Sequence, residues 1–522
     1  FTAEYGVDDL KLFASDFGSL EMDPFLQGQV AMSGEEVLML SRIRRYNPCL
    51  EPGLAPLPWP EDGQHATWSG GFGFVIPRGA SHPEEAMEFI ACMVSRQAQL
   101  RYGTHSNQLS ANKRATEAPF YAEDPQWCLL VGEMEHSRHR PVTPVGTLMW
   151  QELARAWETG GGQGVEPAAA LERAQRSVQA ELDRIAGRSA LPLVDWRIAW
   201  VLLGGAFAAA LCLRLAWSWR SLRSSPLLRG EAWAGYVFSL PATVGLLLLW
   251  VGPVVVILVY SFSHYDILNP ARWAGLDNYR RLLLDDPQFW KSLWNTLYFV
   301  AFARPTAVAG SLGLALLLNQ EIRGRALWRA VFYLPSIVPL VALSLLFPWL
   351  LNAQNGLFDL ALESVGLPRV PWLTSPAFSK PSLLIMNLFT VGAGMVIFLA
   401  GLQGVPRHLH EAAMIDGAGV LQRFRNVTLP SLLPTIFFML VINTIMSFQV
   451  FTQAFLMTST SALGAPEDSL TFYVSYLFIQ GFVNFNMGYA SAMAWILFLI
   501  LVAVTLVQYR VALRLGYEDV MR

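Results

Sequence analysis

Seven apolar stretches that follow residue 190 constrain the fold of this chain more than any other feature. Each is about as long as the ~20 residues that an α-helix needs to cross a bilayer. They lie near residues 198–217, 235–261, 293–318, 329–351, 382–402, 432–456 and 490–511. A soluble protein could bury one such stretch in its core, but not seven. The sequence therefore predicts a mainly α, polytopic membrane protein with a more polar N-terminal part.

Arginines in the short connections predict how the spans are oriented. They follow the first, third, fifth and seventh spans: Arg220, Arg223, Arg229, Arg323, Arg325, Arg407, Arg423, Arg425, Arg514 and Arg522. Because short cytoplasmic loops are enriched in Lys and Arg, this side and the C-terminus are predicted to be cytoplasmic, and residues 1–190 external. An external domain needs an export signal, and the chain begins with Phe1. We therefore expect the sequence to be truncated or processed at its start.

The polar segment 406–430, between the fifth and sixth spans, has the most specific residue spacing in the chain. Its marker positions are Glu411, Ala412, Ala413, Asp416, Gly417, Val427, Leu429 and Pro430. Residues 406–415 predict a short helix that Gly417 ends, since glycine tolerates a left-handed turn. A second short helix over about 418–427 should follow, and Pro430 suits the first turn of the next membrane helix. The expected product is a bent helix pair with an apolar ridge and a carboxylate.

These marker positions resemble the EAA loop by which permease subunits of ABC importers dock on their ATPases. Residues 230–522 resemble the permeases of sugar and glycerol-phosphate ABC importers along their whole length. The family's usual isoleucine is Val427 here. Gly464-Ala465-Pro466 stands where the family often has Gly-Gly-Pro, so we expect the outer gate to differ locally from that of the family. The resemblance implies a six-helix core in the cytoplasmic (inner) membrane. It also implies an ABC ATPase dimer and a second, homologous permease as partners.

The sequence has no motif for ATP binding or catalysis. The phosphate-binding pattern G-x-x-x-x-G-K-[ST] is absent, so the resemblance implies that ATP is used by the partner ATPase and that this chain binds no cofactor. The paired carboxylates Asp285-Asp286 and Glu467-Asp468 are interpreted as solvated charge in outer loops. A net charge of −3 does not indicate a nucleic-acid surface. We expect a transport subunit rather than an enzyme.

Residues 1–190 have the glycine and proline punctuation of an α/β domain. Residues 70–77 predict a glycine-rich turn that enters a short buried strand, and residues 166–186 predict an amphipathic helix. The segment WSGGFGFVIPRGASHPEEAMEFIACMVSRQAQLRYG resembles the C-terminal part of family 1 extracellular solute-binding proteins. That resemblance implies a solute site near four residues: Trp68, Ser69, Gly70 and Gly71. The alternative for the tryptophan is packing.

Two other features of the external region bear on a disulfide bond and on a metal site. Its cysteines are Cys49, Cys92 and Cys128, and an oxidising compartment permits one disulfide among them. Residues 133–139 contain two glutamates and two histidines that fit one helix face. Such sets are common on exposed helices, so we expect no metal site.

The resulting organisation has three regions: an external solute-binding-protein-like domain at 1–190, a tethering transmembrane helix with an inner linker at 191–229, and the permease at 230–522. A flexible tether would keep the binding domain at high local concentration. The predicted function is import of a carbohydrate or polyol phosphate. The alternatives are import of another small polar solute, or a receptor that senses a bound solute without transporting it.

Polar side chains inside the spans predict the translocation path. They are Asn387, Asn443, Gln449, Gln453 and Arg304. Uncharged amides suit sugar hydroxyls and are costly facing lipid, although helix–helix hydrogen bonds would explain them as well. Arg304 lies deep in a span, where an arginine needs a partner, and no span contains Asp or Glu. Carbonyls beside Pro305, an acid of the partner permease, a water-filled cavity or an anionic solute remain open.

Overall fold

The computed structural model describes residues 23–514 apart from a few short gaps. These gaps are residues 24, 29, 35, 60–62, 72, 140, 142, 163–164, 189, 223–225, 354–355, 458–463 and 465. The chain divides into two compact units, one within Phe13–Gly146 and one that includes Thr147–Arg522. Each unit is described here by itself.

The first unit is mostly helical in its described part. Its elements are α1 (Leu38–Tyr46), β1 (Thr67–Trp68), α2 (Pro83–Met93), α3 (Arg96–Ser106), α4 (Lys113–Thr116), α5 (Pro119–Ala122), α6 (Pro125–Glu133) and β2 (Ser137–Arg138). The two short strands pair in parallel, with Thr67 opposite Ser137 and Trp68 opposite Arg138. Tyr121 and Trp127 are buried and pack edge to face.

The buried strand predicted after Gly70 and Gly71 is not formed. Residues 73–77 have no strand pairing, and Phe74 and Val75 are exposed. A strand needs a hydrogen-bonding neighbour, and β2 extends only far enough to pair with β1 in the described part of this unit. Helix α2 begins at Pro83, where proline suits the first turn of a helix.

The second unit begins with two helices and a short hairpin of strands. They are α7 (Gly146–Gly162), α8 (Pro167–Arg188), α9 (Arg197–Leu222), α10 (Pro226–Leu246), α11 (Gly252–Ser261), β3 (Ser263–His264), β4 (Arg272–Trp273) and α12 (Asp277–Arg280). Helices α7 and α8, called the α7–α8 hairpin here, bury Ala156 against Ala170 and Ala174. The amphipathic helix predicted at 166–186 is thus confirmed as α8.

The remaining helices form the apolar body of this unit. They are α13 (Pro287–Leu318), α14 (Arg325–Ile337), α15 (Leu340–Leu350), α16 (Leu357–Ser364), α17 (Pro376–Phe389), α18 (Gly392–Gln403), α19 (Arg407–Ile415), α20 (Val420–Arg423), α21 (Leu429–Ser431), α22 (Leu433–Phe448), α23 (Thr452–Met457), α24 (Tyr473–Phe478) and α25 (Met487–Arg514). Turns of π-helix follow α10, α12, α20 and α24. Helix α13 is central, since it packs on α17, α18, α22 and α24.

Three described helices are long and apolar enough to cross a membrane as single pieces: Val237–Ser261, Pro287–Leu318 and Met487–Arg514. Three further spans are bent pairs, α14 with α15 at 96°, α17 with α18 at 47°, and 420–431 with α22 at 65°. Counting each bent pair as one span gives six, in agreement with the predicted six-helix core. The predicted span 198–217 falls in α9, where the apolar described segment Arg197–Ala209 is shorter.

Proline and glycine account for two of these bends. Pro339 lies between α14 and α15, and it cannot continue a helix because its ring removes a donor and clashes with the preceding turn. Gly392 is the first residue of α18 and lies against α14. A Cβ at this position would lie 2.0 Å from the carbonyl oxygen of Phe332. Any larger residue would push the two helices apart.

The prediction of one continuous span over 432–456 is wrong in detail. Helix α22 ends at Phe448, and α23 begins at Thr452. Gln449 lies in the break and Gln453 beyond it, so neither continues the face that carries Asn443. Ser447 and Phe448 are buried at the helix end, and the backbone leaves the helical conformation at Gln449, with φ of −99° and ψ of 17°.

Candidate functional site

The segment 406–430 is called the docking loop here, after the role that its resemblance implies, and its first half folds as the spacing predicts. Its first helix is α19, and Gly417 follows with φ of +79°. The reversal is closed by backbone hydrogen bonds from Gly417 to Met414 and from Ala418 to Ala413. Because side chains rarely adopt this φ, glycine is the residue that lets α19 and α20 meet at a sharp angle.

An apolar surface lies across the bend of the docking loop. Ile415 is 87% exposed and Leu421 is 77% exposed, with Met414 and Val420 also exposed beside them. Glu411 is exposed on the same helix. Isolated exposed apolar residues are ordinary, but a group of four beside a carboxylate on a projecting bend is the form that a protein-docking site takes.

The second half of the docking loop turns back toward the membrane helices. The predicted helix over 418–427 is α20 followed by a π turn at Phe424–Thr428. Regular helix spacing would place Leu421, Phe424 and Val427 on one side and make them the predicted apolar ridge. Phe424 and Val427 are instead half-buried, while Leu421 is exposed, so these three do not form a single ridge. Pro430 lies in the first turn of the short helix α21.

Three of the predicted path residues meet in the interior of the second unit. Arg304 of α13 is 8% exposed. Its Nη1 donates to Oδ1 of Asn443 at 3.2 Å, and its Nη2 donates to Oδ1 of Asn387 at 3.1 Å. We call these residues the Arg304 cluster. Neither Gln449 nor Gln453 is a hydrogen-bond partner of Arg304 in the described part of the chain.

The positive charge of Arg304 is not neutralised by a carboxylate of any described residue. The Nε atom of Arg304 is buried and has no hydrogen-bond partner, and no carboxylate of a described residue pairs with it within 4 Å. The guanidinium also lies 6.0 Å from the ring centroid of Phe299. Neutral amide oxygens therefore solvate a cation that would otherwise be very costly inside a span.

The carboxylates interpreted as solvated charge include two that the structure places in organised contacts. Asp286 caps α13, since its Oδ1 accepts from the backbone nitrogens of Gln288 and Phe289. Its Oδ2 accepts from the hydroxyl of Tyr476 at 2.7 Å and from that of Tyr489. The interpretation is wrong for Asp286, which is half-buried and whose two oxygens accept four hydrogen bonds from the protein.

Asp468 is the second such carboxylate. Its Oδ2 accepts from Nε2 of Gln288 at 2.8 Å and lies 3.4 Å from Nε of Arg155 in α7. Glu467 and Asp468 both adopt positive φ, 51° and 56°. Burial alone would lower the pKa of Arg155, but Asp468 and Glu152 raise it above its ordinary value. Sequence spacing carried no signal for this pair.

Glu181 of α8 is the most enclosed ion-paired carboxylate among the described residues, with a side chain 4% exposed. It pairs with Arg184 and Arg188 of its own helix and, at 2.8 Å, with Arg281. The guanidinium of Arg281 also lies 4.5 Å from the ring centroid of Tyr489. In the sequence Glu181 is one more glutamate of an amphipathic helix, and only its position seven residues after Ala174, on the same helix face, hints at burial.

The predicted solute residues of the first unit lie together but form no described pocket. Trp68 is 51% exposed and Ser69 donates its backbone N–H to the carbonyl of Arg138. A Cβ at Gly70 would lie 2.9 Å from the Trp68 ring, so the glycine allows the indole to fold over the backbone. Gly71 is exposed.

The metal interpretation of residues 133–139 fails on geometry. Helix α6 ends at Glu133, and a 3₁₀ turn and β2 follow, so the four side chains do not share one helix face. No group of three metal-ligating residues occurs in the described part of the chain. His65 bonds Glu133 at 3.0 Å and its ring stacks between Trp59 and His136.

The four cysteines, including Cys212, are free thiols.

Comparison with known proteins identifies both parts of the chain. Residues 307–517 match the family model described as the binding-protein-dependent transport system inner membrane component. Residues 13–127 match the model for bacterial extracellular solute-binding proteins. A crystal structure of a bacterial ABC transporter involved in the import of the acidic polysaccharide alginate is similar at 23% identity and a TM-score of 0.48, over 56% of this chain and 99% of that one.

Curated relatives match the permease part over most of their own length. The probable ABC transporter permease protein YesP of Bacillus subtilis is 36% identical over 56% of this chain and 94% of the relative. The sulfoquinovosyl glycerol transport system permease protein SmoG of Agrobacterium fabrum is 34% identical over 52% of this chain and 87% of the relative. These relatives are transport subunits rather than enzymes. The chain belongs to the inner-membrane permeases of binding-protein-dependent ABC importers, preceded in the same polypeptide by a solute-binding-protein region.

Proposed function

We propose that this permease imports a carbohydrate or a polyol phosphate and is driven by an ABC ATPase dimer that binds the docking loop. The observation that carries the proposal is the exposed apolar group of Met414, Ile415, Val420 and Leu421 beside Glu411. Its position on the bend that leads into the membrane helix α22 suits a lever. Closure of the ATPase would move α19 and α20 and, through α21, the membrane helix α22.

The proposed orientation follows from the docking loop. An ATPase and its ATP are cytoplasmic, so the loop and the C-terminus lie in the cytoplasm, and residues 1–190 lie outside. A second, homologous permease completes the path, because the helices of a single six-helix core leave large apolar faces exposed, among them Phe438, Ile442 and Met446 of α22. Those faces contact the partner permease and membrane lipid.

The solute class rests on the polar interior and on the relatives. The amides of Asn387 and Asn443 are hydrogen-bonding groups of the kind that suit hydroxyls. Relatives of this chain are permeases of transport systems for sulfoquinovosyl glycerol, for trehalose and maltose, and for sn-glycerol-3-phosphate. The chain's own solute is proposed to share this chemistry, with Trp68, Ser69, Gly70 and Gly71 of the solute-binding region contacting it outside.

Uptake in reconstituted vesicles tests the proposal. The chain, its partner permease and the ATPase are placed in vesicles, and labelled disaccharides, trisaccharides and glycerol phosphates are supplied outside with ATP inside. We expect ATP-dependent accumulation of at least one of these solutes. Leu421→Asp should abolish it together with ATPase binding, whereas Leu499→Asn, on an exposed face of α25, should retain ATPase binding. ATPase binding that is unchanged by Leu421→Asp would contradict the docking proposal.

A further inference from the structure

The hairpin of α7 and α8 precedes the membrane helices, yet it makes two separate polar attachments to them. The first is at Glu181, whose carboxylate is paired by Arg184 and Arg188 from its own helix and by Arg281 from the segment that leads into α13. Removing one partner of a buried charge cluster leaves an uncompensated charge. This buried attachment should therefore be stronger than a surface ion pair.

Other contacts extend this first attachment into the permease. Arg188 also donates to Oδ1 of Asn486 at 3.2 Å, one residue before α25. Arg281 lies over the Tyr489 ring, and the Tyr489 hydroxyl bonds Asp286, the N-terminal cap of α13. A continuous set of contacts thus joins α8 to the starts of the two longest membrane helices, α13 and α25.

The second attachment is made by α7. Arg155 lies 3.4 Å from Asp468, in the segment between α23 and α24. Asp468 is bonded in turn by Gln288 of α13, and its backbone carbonyl accepts from Nδ2 of Asn295 of the same helix. The two attachments are on different helices of the hairpin and on different segments of the permease, so together they fix its orientation.

The connection from the hairpin to α9 is held as well. The backbone nitrogen of Val194 donates to the carbonyl of Ala271, and that of Trp273 donates to the carbonyl of Pro192. Nη1 of Arg272 donates to the carbonyl of Leu191 at 2.6 Å. These bonds join residues 191–194 to residues 271–273, in and next to β4.

We infer that the α7–α8 hairpin is an intramolecular docking element, bound through Glu181 to the starts of the permease helices α13 and α25 and through Arg155 to Asp468, in the segment between α23 and α24. Its partner surface is made by Arg281, Tyr489, Asn486 and Asp468. The hairpin stays on this surface without the help of the covalent connection. Residues 147–188, which end the external region, are therefore held at a fixed place on the permease. This attachment is separate from the proposed transport function, and it requires neither a particular solute nor an ATPase.

Cutting the full-length chain tests the inference. A protease recognition sequence is inserted between Arg188 and Leu191, the purified chain is cleaved in detergent, and the N-terminal fragment that co-elutes with the permease is measured. We expect the fragment to remain bound. With Glu181→Gln, the retained fraction should fall by about tenfold or more, since a buried cluster of arginines loses its anion.

The matched control is Glu172→Gln, the same substitution at an exposed position of α8, which should retain the fragment like the wild type. Arg155→Gln should lower retention separately. Release of the wild-type fragment on cutting would overturn the inference, as would equal retention by Glu181→Gln and Glu172→Gln. If Glu181→Gln aggregates before it is cut, the wild-type result and the Arg155→Gln result still decide, because both are read on chains with Glu181 intact.

Discussion

Nη2 of Arg304 donates a hydrogen bond of 3.1 Å to Oδ1 of Asn387, and this bond joins the interior of α13 to the interior of α17. The same guanidinium reaches Asn443 of α22. One arginine therefore connects three membrane helices. The two amide oxygens explain how its charge is tolerated at that depth although no carboxylate of a described residue pairs with it.

Replacing Arg304 tests whether this role is structural or concerns the solute. Arg304→Gln should lower the thermal midpoint of the purified permease, because hydrogen bonds to a charged group each contribute about 1.5–3 kcal/mol. Uptake of all solutes should then fall together. A loss confined to phosphorylated solutes would instead assign the charge to solute recognition, and loss of permease pairing would assign it to the partner subunit. Arg510→Gln, at an exposed site of α25, is the control.

The two pairs of amides predicted for the path should behave differently. Asn387→Ala with Asn443→Ala removes both acceptors of Arg304, so we expect lower stability together with altered uptake affinity. Gln449→Ala with Gln453→Ala affects residues in and beyond the break after α22 and should leave stability nearly unchanged. Thermal unfolding and solute titration of the two double variants measure this. Equal effects of the two pairs on stability would contradict the assignment.

Gly417 tests the docking loop through backbone conformation alone. Its φ of +79° disfavours most side chains, but nothing lies within 4 Å of a Cβ placed there. Gly417→Val should therefore strain the bend, by about 1–2 kcal/mol or more, and weaken ATPase co-purification. Gly417→Asn should be tolerated, since asparagine visits the left-handed region. If both variants bind the ATPase like the wild type, the bend is not needed for docking.

Asp286 should stabilise the start of α13 in two ways. Asp286→Ala removes the helix cap, which costs about 0.5–2 kcal/mol, and leaves the hydroxyls of Tyr476 and Tyr489 without their acceptor. Asp286→Asn retains a capping oxygen, so its thermal midpoint should lie between those of Asp286→Ala and the wild type. The exposed neighbour Asp285 supplies the control, since Asp285→Ala should have little effect. A midpoint for Asp286→Ala equal to that control would show that the cap is dispensable.

His264 gives the region around Glu181 a dependence on pH. Burial lowers the pKa of His264, Arg188 and Arg281 lower it further, and Asp277 and Glu181 oppose them. A pKa below the ordinary value of about 6.5 means that the unfolded chain binds the proton more readily. The contribution to stability is therefore present above pH ~6.5 and is lost as pH falls through the folded-state pKa.

Thermal midpoints across this pH range measure the effect. The wild type should lose more stability between neutral and mildly acidic pH than His264→Gln, which cannot titrate at this position. Other groups titrate in both proteins, so the difference between the two curves is the quantity to compare. Parallel curves would contradict the role assigned to His264.

Much of the fold could be predicted because membrane spans and short loops are local properties. Apolar length predicted the six core spans, and proline and glycine positions predicted the two short helices of the docking loop around Gly417. The family resemblance of the docking loop was carried by spacings within about twenty residues. Such patterns depend on what neighbouring residues do to the backbone and to its transfer into lipid, so they are readable without knowing the tertiary structure.

The long-range pairs were decided by the tertiary structure alone. Arg304 and Asn443 are 139 residues apart, and no local pattern indicates that an amide on a distant helix will solvate an arginine. Asp285 and Asp286 are neighbours of identical chemistry, yet one is exposed and the other caps a helix and bonds two tyrosines. Glu181 likewise acquires its importance from Arg281, which packing brings to its carboxylate. The sequence determined which segments enter the membrane, and packing determined which of its charges found partners there and at the helix ends.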